Sequence, residues 1–152
     1  MNPMIEAVKA VTAEETRELN LAMDFIPVEK HNWCAGGCAK TPLQIYLECA
    51  GALRLMARLI QGKPAHGTEG PAKTAECPTY QDAKALMEKS LQELNAALDS
   101  LEESRLTEIV EMPWGMKMPM TQVIFLGSYH TSYHNGQLNF IQTLLGDSEF
   151  HF

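Results

Sequence analysis

The chain has 152 residues, a formal net charge of -7 and 45% hydrophobic against 20% charged residues, a composition that supports one folded domain spanning 1–152 and excludes extended disorder. Binding to DNA or RNA is disfavoured, because phosphate recognition draws on clustered Lys and Arg that the sequence does not carry. No apolar run reaches the roughly 20 residues that span a bilayer, and the N-terminal MNPMIEAVKAVTAEETRE has no basic stretch leading into an apolar core. A cytoplasmic protein without a membrane partner is expected. Four cysteines, Cys34, Cys38, Cys49 and Cys77, are expected as free thiols, since Cys34-Ala-Gly-Gly-Cys38 has neither redox nor zinc-ribbon spacing.

In chain order, residues 3–25 place Ile5, Val8, Val11, Thr12, Leu19 and Ala22 at helical intervals and predict helix one. Residues 27–40, with Pro27, Gly36 and Gly37, predict a loop in which Trp33 packs down. Thr41, Pro42 and Gln44 form an N-cap, a first-turn proline and a capping partner, so helix two should run to about Gln61 and stop at Gly62. Residues 62–78 predict a long exposed loop. Thr79 and Asp82 repeat the capping pattern before an apolar series from Ala83 to Leu101, giving helix three.

Residues 107–118, around Pro113-Trp114-Gly115, predict a short hairpin or extended excursion. Helix four should start near Pro119 and end before Gly146. The expected fold class is all-α, a four-helix bundle.

On helix four, His130 and His134 lie within about 40° of each other, the spacing of a metal-binding pair, and Gln137 within about 20° of His130. Val123, Leu126, Ile141, Leu144 and Leu145 share that half of the helix. Thr121, Ser128, Ser132, Asn139 and Thr143 fall on the opposite one, so both histidines should face inward. On helix two, Ile45, Ala52, Leu55 and Leu59 surround Glu48, and no Lys or Arg shares its face. A carboxylate in an apolar stripe needs a cation, and a divalent metal shared by Glu48, His130 and His134 supplies one.

Two imidazoles and one carboxylate leave positions open for water or substrate, as in catalytic zinc and non-haem iron sites. The competing readings are a basic partner for Glu48 from elsewhere, or an unmetallated polar network in a dimerisation module. Gln137 and Tyr133 are candidate ligand-binding residues. His31, His66 and His151 read as exposed, and Trp114 as a pocket wall or core cap.

The run His130-Thr-Ser-Tyr-His134-Asn-Gly136-Gln137-Leu138, with Leu144-Leu-Gly146-Asp147 after it and Thr41-Pro42-Leu43-Gln44 before helix two, resembles the DinB/YfiT-like family. The resemblance implies a four-helix bundle with a divalent ion, zinc or nickel first and iron or manganese as alternatives. Family members commonly bind the ion through three histidines, and here Glu48 stands at the helix-two position. It further implies a thiol-dependent transferase or isomerase acting on a small molecule, with a low-molecular-weight thiol as partner and a homodimeric state; a hydrolase, in which the ion activates water instead, is favoured less. A non-catalytic metal- or ligand-binding bundle, a sensor or carrier, is the alternative.

Overall fold

The structure is a computed structural model and describes residues 2–64, 76–149 and 151. Helix α1 spans Pro3–Phe25, α2 Pro42–Ile60 and α3 Tyr80–Asp99; a hairpin of β1 (Ile109–Glu111) and β2 (Lys117–Pro119) precedes α4 (Met120–Val123) and α5 (Leu126–Leu144). The fold is the all-α four-helix bundle expected, with α4 and α5 together forming its fourth member. The strands pair antiparallel, Val110 opposite Met118.

Local chemistry fixes these boundaries. Asn2 caps α1 through its side chain, and Thr41 caps α2 and Thr79 caps α3 in reciprocal boxes with Gln44 and Asp82. Helix α2 ends where Gly62 takes a φ of 69°, and Arg105 Nη1 donates to the free Ile60 carbonyl at 2.8 Å. Helix α3 stops at Asp99, two residues short of the apolar series that predicted it. The fourth helix is not continuous. At Phe125 the backbone bond tightens to the Gln122 carbonyl at 3.1 Å, a 3₁₀-type step with no proline or glycine to announce it.

Helix α2 packs on α3 and α5, and α1 closes the ring by packing on α5 and α3, so α1 and α2 stand on the diagonal. The connection over residues 26–41 therefore crosses the bundle end. His31, expected at the surface, is buried there: its Nε2 lies 3.0 Å from the Ile26 carbonyl and its ring meets Tyr80 edge-on. Trp33 packs partly against the core as expected. His151 is also largely covered, stacked on Phe25 at 3.4 Å and 2.8 Å from Asp147. His66 and much of the loop 62–78 lie outside the described residues.

Val11, Trp114 and Leu144 are exposed rather than packed inward, whereas Ser128 is buried although hydropathy put it outside. The buried face of α5 is centred on Thr131, His134 and Leu138 and is partly polar. Its polar members are held by helix carbonyls: Thr131 donates to Gly127 at 2.9 Å, Asn135 to Glu15 at 3.2 Å and Gln142 to Ala22 at 2.8 Å.

Candidate metal centre

The site forms where α2 and α5 meet near the loop that ends at Lys40. Gly127 allows the approach, since a Cβ there would sit 3.0 Å from Leu53 Cδ2 and 3.5 Å from Leu94 Cδ2. One turn later Thr131 lies beside Cys49 of α2, and His130 and His134 flank it.

The two histidine rings are 4.5 Å apart between centroids at 69°. Gln137 Oε1, an acceptor, lies 2.7 Å from His134 Nδ1, so Nδ1 carries the proton and Nε2 the lone pair. Gln137 Nε2 in turn donates to the Tyr133 hydroxyl at 3.3 Å. The Nε2 atoms of His130 and His134 are both buried without a hydrogen-bond partner among the described residues. Native proteins seldom leave such atoms unpaired, and a cation is a partner that two neighbouring imidazole lone pairs fit.

Glu48 is half-buried at the rim of this cluster. One carboxylate oxygen is bound by Lys40, and the other lies 3.9 Å from His134 Nε2. The cation that its partial burial calls for is thus already supplied by Lys40, from one residue outside the N-cap of α2. Cys49, expected as a free thiol, is free and fully buried. Its sulfur and one nitrogen of each of His130 and His134 lie within 4.8 Å of one another. Among the described residues all four cysteines are free.

Burial pushes the Cys49 thiol well up from its ordinary range, and the Glu48 charge adds to this. Burial also lowers both histidines, His130 further through His134, while the Gln137 bond opposes the effect at His134. Both imidazoles are therefore neutral at pH 7, the form that binds metals.

A pH dependence follows. Between the lowered folded pKa and the ordinary 6.5, the unfolded chain binds protons that the native histidines refuse, so the slope of unfolding free energy with pH is positive. The stability of the metal-free protein is expected to hold above about pH 6.5 and to fall on acidification below it, measured by urea denaturation across pH 5 to 8. In His130→Ala this dependence should shrink; an unchanged profile would assign it to other groups.

The cluster opens into a cavity of about 590 Å³. Lys40, Glu48, His130 and His134 form its polar end, with Ile45 and Ile141 among its apolar lining, and the exposed Cys38, Tyr133 and Phe140 stand at its rim. Gln137, expected to touch ligand, lines the cavity too, but both its amide atoms are engaged by His134 and Tyr133. No described helix is long and apolar enough to cross a membrane.

The sequence model of the DinB superfamily matches residues 12–138. No curated protein sequence matches the chain. Among solved structures, a conserved protein of Enterococcus faecalis aligns with a TM-score of 0.76 at 13% identity, over 97% of this chain and 99% of that one. A DinB-like protein of Bacillus subtilis aligns at 0.66 and 18% identity, over 99% and 96%. A mutant of the mycothiol-dependent maleylpyruvate isomerase aligns at 0.71 and 14% identity, covering 91% of this chain and only 63% of the isomerase chain. At these identities the likeness is one of fold.

Proposed function

The chain belongs to the DinB superfamily, and on that premise we propose that it is a metal-dependent enzyme that uses a low-molecular-weight thiol on a small molecule, as a transferase or isomerase rather than a hydrolase. The observation that carries the metal is the pair of buried, unpartnered Nε2 atoms on His130 and His134. The ion, zinc or nickel before iron or manganese, is held by these two nitrogens and a donor from α2. Glu48, the donor expected from the sequence, reaches it only by turning from Lys40 toward His134, 3.9 Å away. The thiol reading is supported by the fold shared with the mycothiol-dependent isomerase.

When bound, the ion supplies Lewis acidity that lowers the pKa of a thiol or water beside it. The remaining steps belong to the chain. Gln137 fixes the His134 ring through Nδ1 and is itself steadied by Tyr133. The Glu48 carboxylate faces the same space and is a proton acceptor for an incoming thiol, with Lys40 holding it in place. The Lys40 ammonium gives the polar end a site for an anionic group, and Ile45 and Ile141 wall the part that receives an apolar group.

A cavity with exposed rim residues favours an enzyme over a sealed binding bundle. The test is to load protein purified without a histidine tag with zinc or nickel and to assay it against a panel of small thiols and electrophiles. Stoichiometric metal and turnover that His130→Ala abolishes are expected. Stoichiometric metal with no turnover across the panel would instead identify a carrier or sensor, and no metal would remove both.

A further inference from the structure

We propose that Cys49 is the α2 donor of this metal site, its thiolate joining the Nε2 atoms of His130 and His134, while Glu48 stays with Lys40 as a carboxylate of the cavity wall. The inference rests on the metal reading above and concerns which residue completes it. The Cys49 sulfur and one ring nitrogen of each histidine already lie within 4.8 Å of one another, and on both rings Nε2 is the buried nitrogen without a hydrogen-bond partner among the described residues. An ion about 2.3 Å from sulfur and about 2.0 Å from nitrogen holds its ligands about 3.5 Å apart, so side-chain adjustments of about 1 Å close the site.

Glu48 is placed less well. Only one of its oxygens approaches the pair, 3.9 Å from His134 Nε2, and coordination would strip Lys40 of its partner. Cys49 has no such competitor: it is fully buried and packed in the core beside Thr131. Loading the site breaks the Cys49 S–H bond, the sulfur electron pair forms the bond to the ion, and the proton leaves through the cavity to solvent. A two-nitrogen, one-sulfur set is soft enough to favour zinc over magnesium or manganese, and with three protein donors it leaves a position open for an exogenous thiol.

Cobalt(II) reports the difference, because a cobalt–thiolate bond gives a charge-transfer absorption in the near ultraviolet that nitrogen and oxygen donors do not. The full chain, stripped with a chelator and titrated with cobalt, is expected to show the band at one ion per chain. Cys49→Ala and Cys49→Ser, checked for helicity by circular dichroism, should lose the band. Glu48→Gln should keep it with affinity changed by less than about 100-fold, within the range of an outer residue rather than a ligand.

Cobalt bound to the wild type without a band would overturn the assignment and return Glu48 to the site, leaving the metal reading intact. A band that persists in Cys49→Ala would assign it to another thiol and also overturn the proposal. Should Cys49 variants not fold, the wild-type band with its retention in Cys34→Ser, Cys38→Ser and Cys77→Ser decides the matter, since loss in any of them would move the ligand to that thiol and overturn the proposal. No cobalt binding at all would sink the metal reading and this one with it.

Discussion

Replacing His134 by alanine is expected to lower zinc affinity by about two to three powers of ten while leaving the metal-free fold in place. The magnitude follows from the ion: binding worth roughly 10–16 kcal/mol at a four-donor site is about 2.5–4 kcal/mol per donor, and each 1.4 kcal/mol is tenfold. The fold should survive because, among the described residues, His134 Nε2 has no hydrogen bond to lose and the ring's one such bond, through Nδ1, is to the neighbouring Gln137. The lost ring contacts are partly offset by removal of an unsatisfied polar atom from the interior.

Thermal unfolding separates the two effects. Zinc at about 100 times its dissociation constant stabilises the wild type by about 2.7 kcal/mol, roughly 5–10 °C for a chain of this size. In His134→Ala the increment should vanish at the same zinc concentration. Gln137→Ala should sit between, weaker than wild type by about 10- to 100-fold, because only the ring's orientation is lost. An equal zinc-dependent shift in wild type and His134→Ala would place the ion elsewhere.

Much of the architecture was legible because its signals are local. The caps at Thr41 and Thr79 each need only a hydroxyl and a partner three residues on, and Pro113-Trp114-Gly115 marks the turn between β1 and β2. The helix faces were harder. A hydropathy wheel centred on Glu48 gathers Ala52 and Leu55, yet both are half-buried, and the fully buried residues of α2 centre near Leu53, about 140° away. The wide buried arc exists because α2 packs on two neighbours, which no single-helix pattern encodes.

For the same reason the wheel presents Glu48 as the inward group and does not mark its neighbour Cys49, which is fully buried. Lys40 was missed because it precedes the cap and belongs to no helical face, although its side chain reaches Glu48 two turns into α2. On α5 the buried face is itself partly polar, and Ser128, which hydropathy puts outside, is buried. Thr131, Asn135 and Gln142 look solvated by composition, but each donates to a backbone carbonyl inside the bundle. His31 is a similar case, buried because its ring meets the carbonyl that the Ile26 turn leaves free.

The close approach that builds the site has its own measurable signature in the pair Leu53 and Gly127. Leu53 is fully buried, and Leu53→Ala is expected to cost about 3 kcal/mol in urea denaturation from lost transfer energy and the cavity left behind. Gly127→Ala alone sets two opposing effects against each other. It gains about 1 kcal/mol of helix propensity, but its methyl lands 3.0 Å from Leu53 Cδ2, an overpacking that costs roughly 2 kcal/mol, so a net loss of about 1 kcal/mol is expected.

In the double variant the offending methyl of Leu53 is absent and the alanine fills part of its void. The clash disappears and the propensity gain remains, so the pair should lose about 2 kcal/mol where additivity requires about 4, a coupling near 2 kcal/mol. Additive losses would mean that α5 is held against α2 by something other than this contact. Because Thr131 and Cys49 meet one turn beyond Gly127, Gly127→Ala should also weaken zinc binding in the single variant, and Leu53→Ala in the same chain should restore part of it.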